Sequence, residues 1–82
     1  MKKRSIKIAG HSTSISLEEP FWIVLKQLAD EQNLSLNGLV ESVDKTRENT
    51  NLSSALRLFV LSELQNRLYA VTDPSGFELD LQ

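Results

Sequence analysis

Serine stands at positions 12, 14 and 16, with Thr13, Ile15 and Leu17 in step with it. Side chains alternate across an extended strand, so this run sets three small hydroxyls on one face and the threonine and two aliphatics on the other. A hydroxyl both donates and accepts, which lets it meet polar edges of either kind and specifies poorly between them. Just upstream lie Lys2, Lys3, Arg4 and Lys7, and His11 opens the strand. Residues 1–16 hold those four basic residues and no acid, a balance of +4, whereas residues 17–82 carry −6. The whole chain, at −2, argues against a polyanionic partner, but cations concentrated beside hydroxyls argue for one. The chemistry on offer is recognition by charge and hydrogen bonds.

Catalysis has no comparable support. Glu18-Glu19 and Asp30-Glu31 are adjacent carboxylates, which diverge on a helix and do not face each other as an acid/base pair. The single histidine, His11, has no carboxylate spaced to orient it, and 3 scattered glycines make no phosphate loop. No enzyme is expected. One histidine and no cysteine leave no metal site, and no cofactor is predicted. No apolar run reaches the ~20 residues of a membrane span, so a cytoplasmic protein without membrane contact is expected.

Three helical patterns follow the strand. The first starts at Glu18-Glu19-Pro20, where carboxylates and proline suit a helix N-terminus, and Ser16 and Glu19 have the spacing of a capping box. Phe21, Trp22, Leu25, Leu28 and Ala29 mark its buried face, and Asn33 closes it in glycine's usual role. Ser35 caps a second helix that buries Leu36, Leu39, Val40 and Val43 and runs to about Arg47. Asn51 or Ser53 caps a third, whose apolar residues at 58, 59, 60 and 61 wrap past a single stripe. That helix is expected in a dimer core or a further subunit contact. Residues 1–10 are read as a basic N-terminal arm ending in a turn at Gly10, and Ile6 and Ile8 alternate as a strand would. The domain proper is 11–69, and 70–82 is an acidic, flexible tail in which Phe77, Leu79 and Leu81 alternate.

One short strand ahead of helices has no partner strand in its own chain on this reading. Its cheapest partner is the same strand of a second copy. An 82-residue chain without disulfides or metal also leans on oligomerisation. The fold class predicted is mainly α with one N-terminal β-strand.

The order strand, helix, turn, capped helix resembles the ribbon–helix–helix DNA-binding family, the Arc and MetJ class of β-ribbon readers. His11-Ser-Thr-Ser-Ile-Ser-Leu-Glu-Glu-Pro-Phe-Trp22, Leu34-Ser-Leu-Asn-Gly-Leu-Val40 and Asn51-Leu-Ser-Ser-Ala-Leu-Arg-Leu-Phe-Val-Leu61 are similar to a bacterial branch with an additional third helix. The resemblance covers about residues 11–62. It implies an intertwined homodimer with a two-stranded antiparallel intersubunit ribbon inserted in the major groove of double-stranded DNA, acting in transcription regulation. On that mapping Ser12, Ser14 and Ser16 face base edges, where family members often carry larger Arg, Lys, Asn or Gln.

Phosphate contacts are expected from Lys2, Lys3, Arg4, Lys7 and His11, and from the second helix start at Ser35, Leu36 and Asn37. The dimer core is expected from Thr13, Ile15, Leu17, Trp22, Leu25, Leu39, Val40, Val43 and Phe59. Two other readings stay open: an antitoxin-like module whose C-terminal tail binds a partner protein, and a non-DNA-binding protein that forms higher oligomers through its third helix.

Overall fold

A computed structural model describes residues 1–71. Its elements are β1 (Lys2–Ile8), β2 (His11–Leu17), α1 (Glu19–Glu31), α2 (Leu36–Thr46) and α3 (Leu52–Val71). β1 and β2 form a two-stranded antiparallel hairpin, in register from Lys2 opposite Leu17 to Ile8 opposite His11. This corrects two sequence expectations. There are two N-terminal strands, not one, and residues 2–8 of the expected arm are the in-chain partner of the serine strand.

The turn that joins them carries a weak sequence signature. Ala9 and Gly10 connect the strands, and both have positive φ (52° and 82°). A two-residue turn with both central residues in the left-handed region matches the twist of a hairpin, but its usual signature is Asn-Gly or Asp-Gly. Alanine there carries a steric cost and gives no such signal.

The helices end where short-range chemistry ends them. Glu18 is the N-cap of α1 with no side-chain cap bond, so the capping box expected from Ser16 and Glu19 does not form. Asn33 adopts φ 58°, with Leu34 N–H donating to Ala29 O (2.9 Å) and Asn33 N–H to Asp30 O (3.1 Å). That pair of bonds is the Schellman closure. Ser35 Oγ accepts from Gly38 N–H (2.9 Å), and Asn51 Oδ1 accepts from Ser54 N–H (2.8 Å), so Asn51 and not Ser53 caps α3.

The core closes within one chain. Ile6, Ile15 and Leu17 of the hairpin meet Trp22, Leu25, Leu28 and Ala29 of α1, Leu39, Val40 and Val43 of α2, and Leu56 and Val60 of α3. Of the residues expected between subunits, Phe59 is half-buried and Thr13 is exposed; the other seven are buried here without a second chain. The hairpin supplies the second strand, so the core does not wait for one from elsewhere. α3 contributes one face only, and Leu58, Leu61, Leu64 and Leu68 remain exposed.

Candidate functional site

Opposed residues of an antiparallel pair share a face. The register therefore divides the hairpin into two surfaces. Lys3, Ser5 and Lys7 lie opposite Ser16, Ser14 and Ser12, whereas Lys2, Arg4, Ile6 and Ile8 lie opposite Leu17, Ile15, Thr13 and His11. The first surface faces outward, with every member exposed except the half-buried Ser16. The second faces the helices. The basic cluster is thus split: two lysines join the serines, and Lys2 and Arg4 lie on the side of Trp22.

Trp22 receives that pair. Its Nε1 donates to Lys2 O (2.9 Å), and the Arg4 guanidinium lies 5.6 Å from the ring centroid, in cation–π range. His11 is exposed at the turn, opposite Ile8.

The edges of the hairpin differ. Asn37, in the first turn of α2, grips the backbone of Lys7: its Oδ1 accepts from Lys7 N–H (2.8 Å) and its Nδ2 donates to Lys7 O (2.7 Å). One turn on, Glu41 Oε2 accepts from Ala9 N–H (3.4 Å). α2 side chains thus cover the β1 edge around Lys7. Because both polar groups of Lys7 turn toward α2, Lys7–Ser12 is a non-hydrogen-bonded pair of the ladder. Pair types alternate along an antiparallel ladder, so Ser5–Ser14 and Lys3–Ser16 are of the same type. The N–H and C=O groups of Ser12, Ser14 and Ser16 therefore point away from β1. Ser16 O accepts from Ser53 Oγ (3.2 Å), which pins α3 to the end of this edge. Beside it runs a groove of about 670 Å³, bounded by Thr13, Ser14 and Ile15 of the strand and by Asn51, Ser53 and Ser54 at the start of α3.

The start of α2 is a second polar element. Ser35 Oγ is committed to its cap bond, and the N–H groups of Leu36 and Asn37, first in the helix, have no acceptor within it. Leu36 packs on the core, and the Asn37 side chain is committed to Lys7. The strand face and the helix start are therefore tied at one point. Gly38 keeps this turn uncrowded, since a Cβ there would lie 3.2 Å from Ser35 Oγ.

Ion pairs brace the other side. Arg57 of α3 binds the Glu18 carboxylate through Nε and a terminal nitrogen (3.0 and 3.2 Å) and lies over Phe21. That bond holds the Glu18 carboxyl below the usual glutamate range. Arg67 does the same to Glu31 near the far end of α1. Asp44 pairs with Arg47 (2.6 Å).

Among the described residues no group of three or more His, Cys, Asp or Glu is placed to hold a metal ion. No described helix is long and apolar enough to cross a membrane. Residues 72–82, the bulk of the tail expected to bind a partner protein, lie outside the described residues. The family model described as a ribbon-helix-helix domain matches residues 1–64, a span that takes in both strands and the start of every helix. Neither a curated protein nor a solved structure gives a match to the chain.

Proposed function

Starting from the chain's membership of the ribbon–helix–helix domain family, whose members generally bind DNA as transcription regulators, we propose that two copies join through β2 to form a DNA-reading homodimer. The observation that carries this reading is the asymmetry of the hairpin edges. Asn37 and Glu41 occupy the β1 edge, while Ser12 and Ser14 turn their backbone groups outward from β2, those of Ser14 beside an open groove. An antiparallel β2–β2 contact about a two-fold axis satisfies those groups and gives the order β1-β2-β2-β1.

Strand spacing then assigns roles. Neighbouring strands lie ~4.8 Å apart and the major groove is ~12 Å wide, so the two β2 strands fill it and each β1 lies over its wall. Ser12, Ser14 and Ser16 face the base edges. Lys3 and Lys7 reach the phosphates on either side, joined by the N–H groups at the α2 start. Lys2 and Arg4, on the Trp22 side, seat the hairpin on α1. Hydroxyls specify weakly, so affinity in this arrangement is mostly cationic and sequence preference rests partly on DNA shape.

The test compares a duplex selected from a random library with an unselected one, by fluorescence anisotropy. Replacing Ser14 and Ser16 with alanine is expected to weaken the selected duplex more than the unselected. Equal losses on both would mean the ribbon reads no bases.

A further inference from the structure

α3 is 20 residues long, and its packing into the core ends at Val60. The remaining 11 residues run about 16 Å farther. On their outer side Leu61, Leu64 and Leu68 are 51%, 45% and 54% exposed, and Leu58, one turn back, is 59% exposed. Spacings of three and four residues set Leu61, Leu64 and Leu68 on one seam with the a/d pattern of a coiled coil. The helix is held beside α1, because Arg67, less than a turn beyond Leu64 and lining the same groove, is bound to Glu31 of α1. A groove of about 400 Å³ lies alongside, between Val24 and Leu28 of α1 and Leu64 of α3.

We propose that this seam is a self-association surface, on which α3 of a second copy packs antiparallel about a two-fold axis at the level of Asn66. Leu64 of each copy then faces Leu68 of the other, and Leu61 borders that pair on the side of the domain body. Three features select a second copy as occupant. A leucine seam with a/d spacing packs best against another of the same spacing, and the chain carries its own match. The seam presents no unneutralised charge: Arg57, one turn before Leu61 on the same face, is held by Glu18, so two acidic chains approach without like charges facing. A lipid surface would call for free basic residues flanking the leucines, and Arg57 and Arg67 are both engaged by glutamates.

This contact is separate from the β2 edge and does not rest on the DNA-binding reading. Two different two-fold contacts on one chain make an assembly of four if they close, or a longer array if they do not. Sedimentation equilibrium on the full chain tests both contacts with two variants. Leu64→Gln/Leu68→Gln changes exposed side chains only. Ser14→Pro removes an N–H that points away from β1 and so breaks no bond of the hairpin. Circular dichroism confirms the helices in each.

The wild type is expected to hold four chains or more, each variant two, and the combination one. A leucine variant with the wild-type mass overturns the proposal, as does a monomeric wild type. A two-chain wild type that the leucine variant halves upholds the α3 contact and overturns the β2 ribbon instead.

Discussion

The division of the basic cluster by the hairpin register has a measurable consequence. Lys3 and Lys7 lie on the serine face, and Lys2 and Arg4 on the face toward Trp22. A protein that neutralises Z phosphates shows a slope of log K against log salt of about −0.9Z on duplex DNA. Two lysines from each of two chains make Z four, so Lys3→Ala/Lys7→Ala is expected to reduce the slope by about 3.6. Over a fourfold rise in salt the wild type then loses about 150-fold more affinity than the variant. Lys2→Ala/Arg4→Ala is expected to leave the slope within about one unit and to destabilise the fold, since an exposed cation–π contact contributes about 0.5–1 kcal/mol. Anisotropy titrations of one duplex at several salt concentrations provide the slopes. A Lys2/Arg4 variant that flattens the slope as much as the Lys3/Lys7 variant would refute the assignment of faces. A reduction of about 1.8 from Lys3/Lys7 would place one chain, not two, on each site.

Three further outcomes follow from the bonds described. Asn37→Ala removes both bonds to Lys7 and is expected to cost about 1–2 kcal/mol, seen as a fall of about 5–15 °C in Tm. Asn37→Asp keeps the acceptor for Lys7 N–H and should fall between; equal Tm values in all three would dismiss the clamp. Gly10→Ala meets no atom within 4 Å yet places a Cβ on a residue at φ 82°, so a loss of about 1–2 kcal/mol in urea unfolding is expected from backbone alone. Ala9→Asn, tolerated in the same region, should gain stability. Glu18 and Glu31 have lowered folded-state pKa values because Arg57 and Arg67 bind them. Their contribution is therefore full above the ordinary glutamate range and lost as pH falls through the depressed values. Arg57→Gln is expected to make the acid limb of stability against pH shallower; an unchanged limb would assign acid sensitivity elsewhere.

What was legible in the sequence was local. Ser35, Asn33 and Asn51 act on backbone groups within five residues, and their types alone announce helix ends. The buried faces of α1 and α2 followed from helical spacing. The capping box fails because β2 runs on through Leu17 and Glu18 takes the N-cap position, so Ser16 and Glu19 do not stand at N-cap and N3; the Glu18 side chain binds Arg57 instead, 39 residues away and beyond any short window. The β1–β2 pairing was hidden for a different reason. Its turn is Ala-Gly, and two of the four positions on its inner face carry Lys2 and Arg4, which blur the alternation left by Ile6 and Ile8. The Asn37–Lys7 clamp joins residues 30 apart, and only the folded chain brings it into view.

Trp22 is the sole indole of the chain, and its ring touches the hairpin from both sides of the problem: nitrogen to the Lys2 carbonyl, π-face to the Arg4 cation. The protein therefore carries a built-in optical gauge of whether its first strand is docked. Intrinsic emission will register lifting of that strand separately from melting of the helices, with no label added.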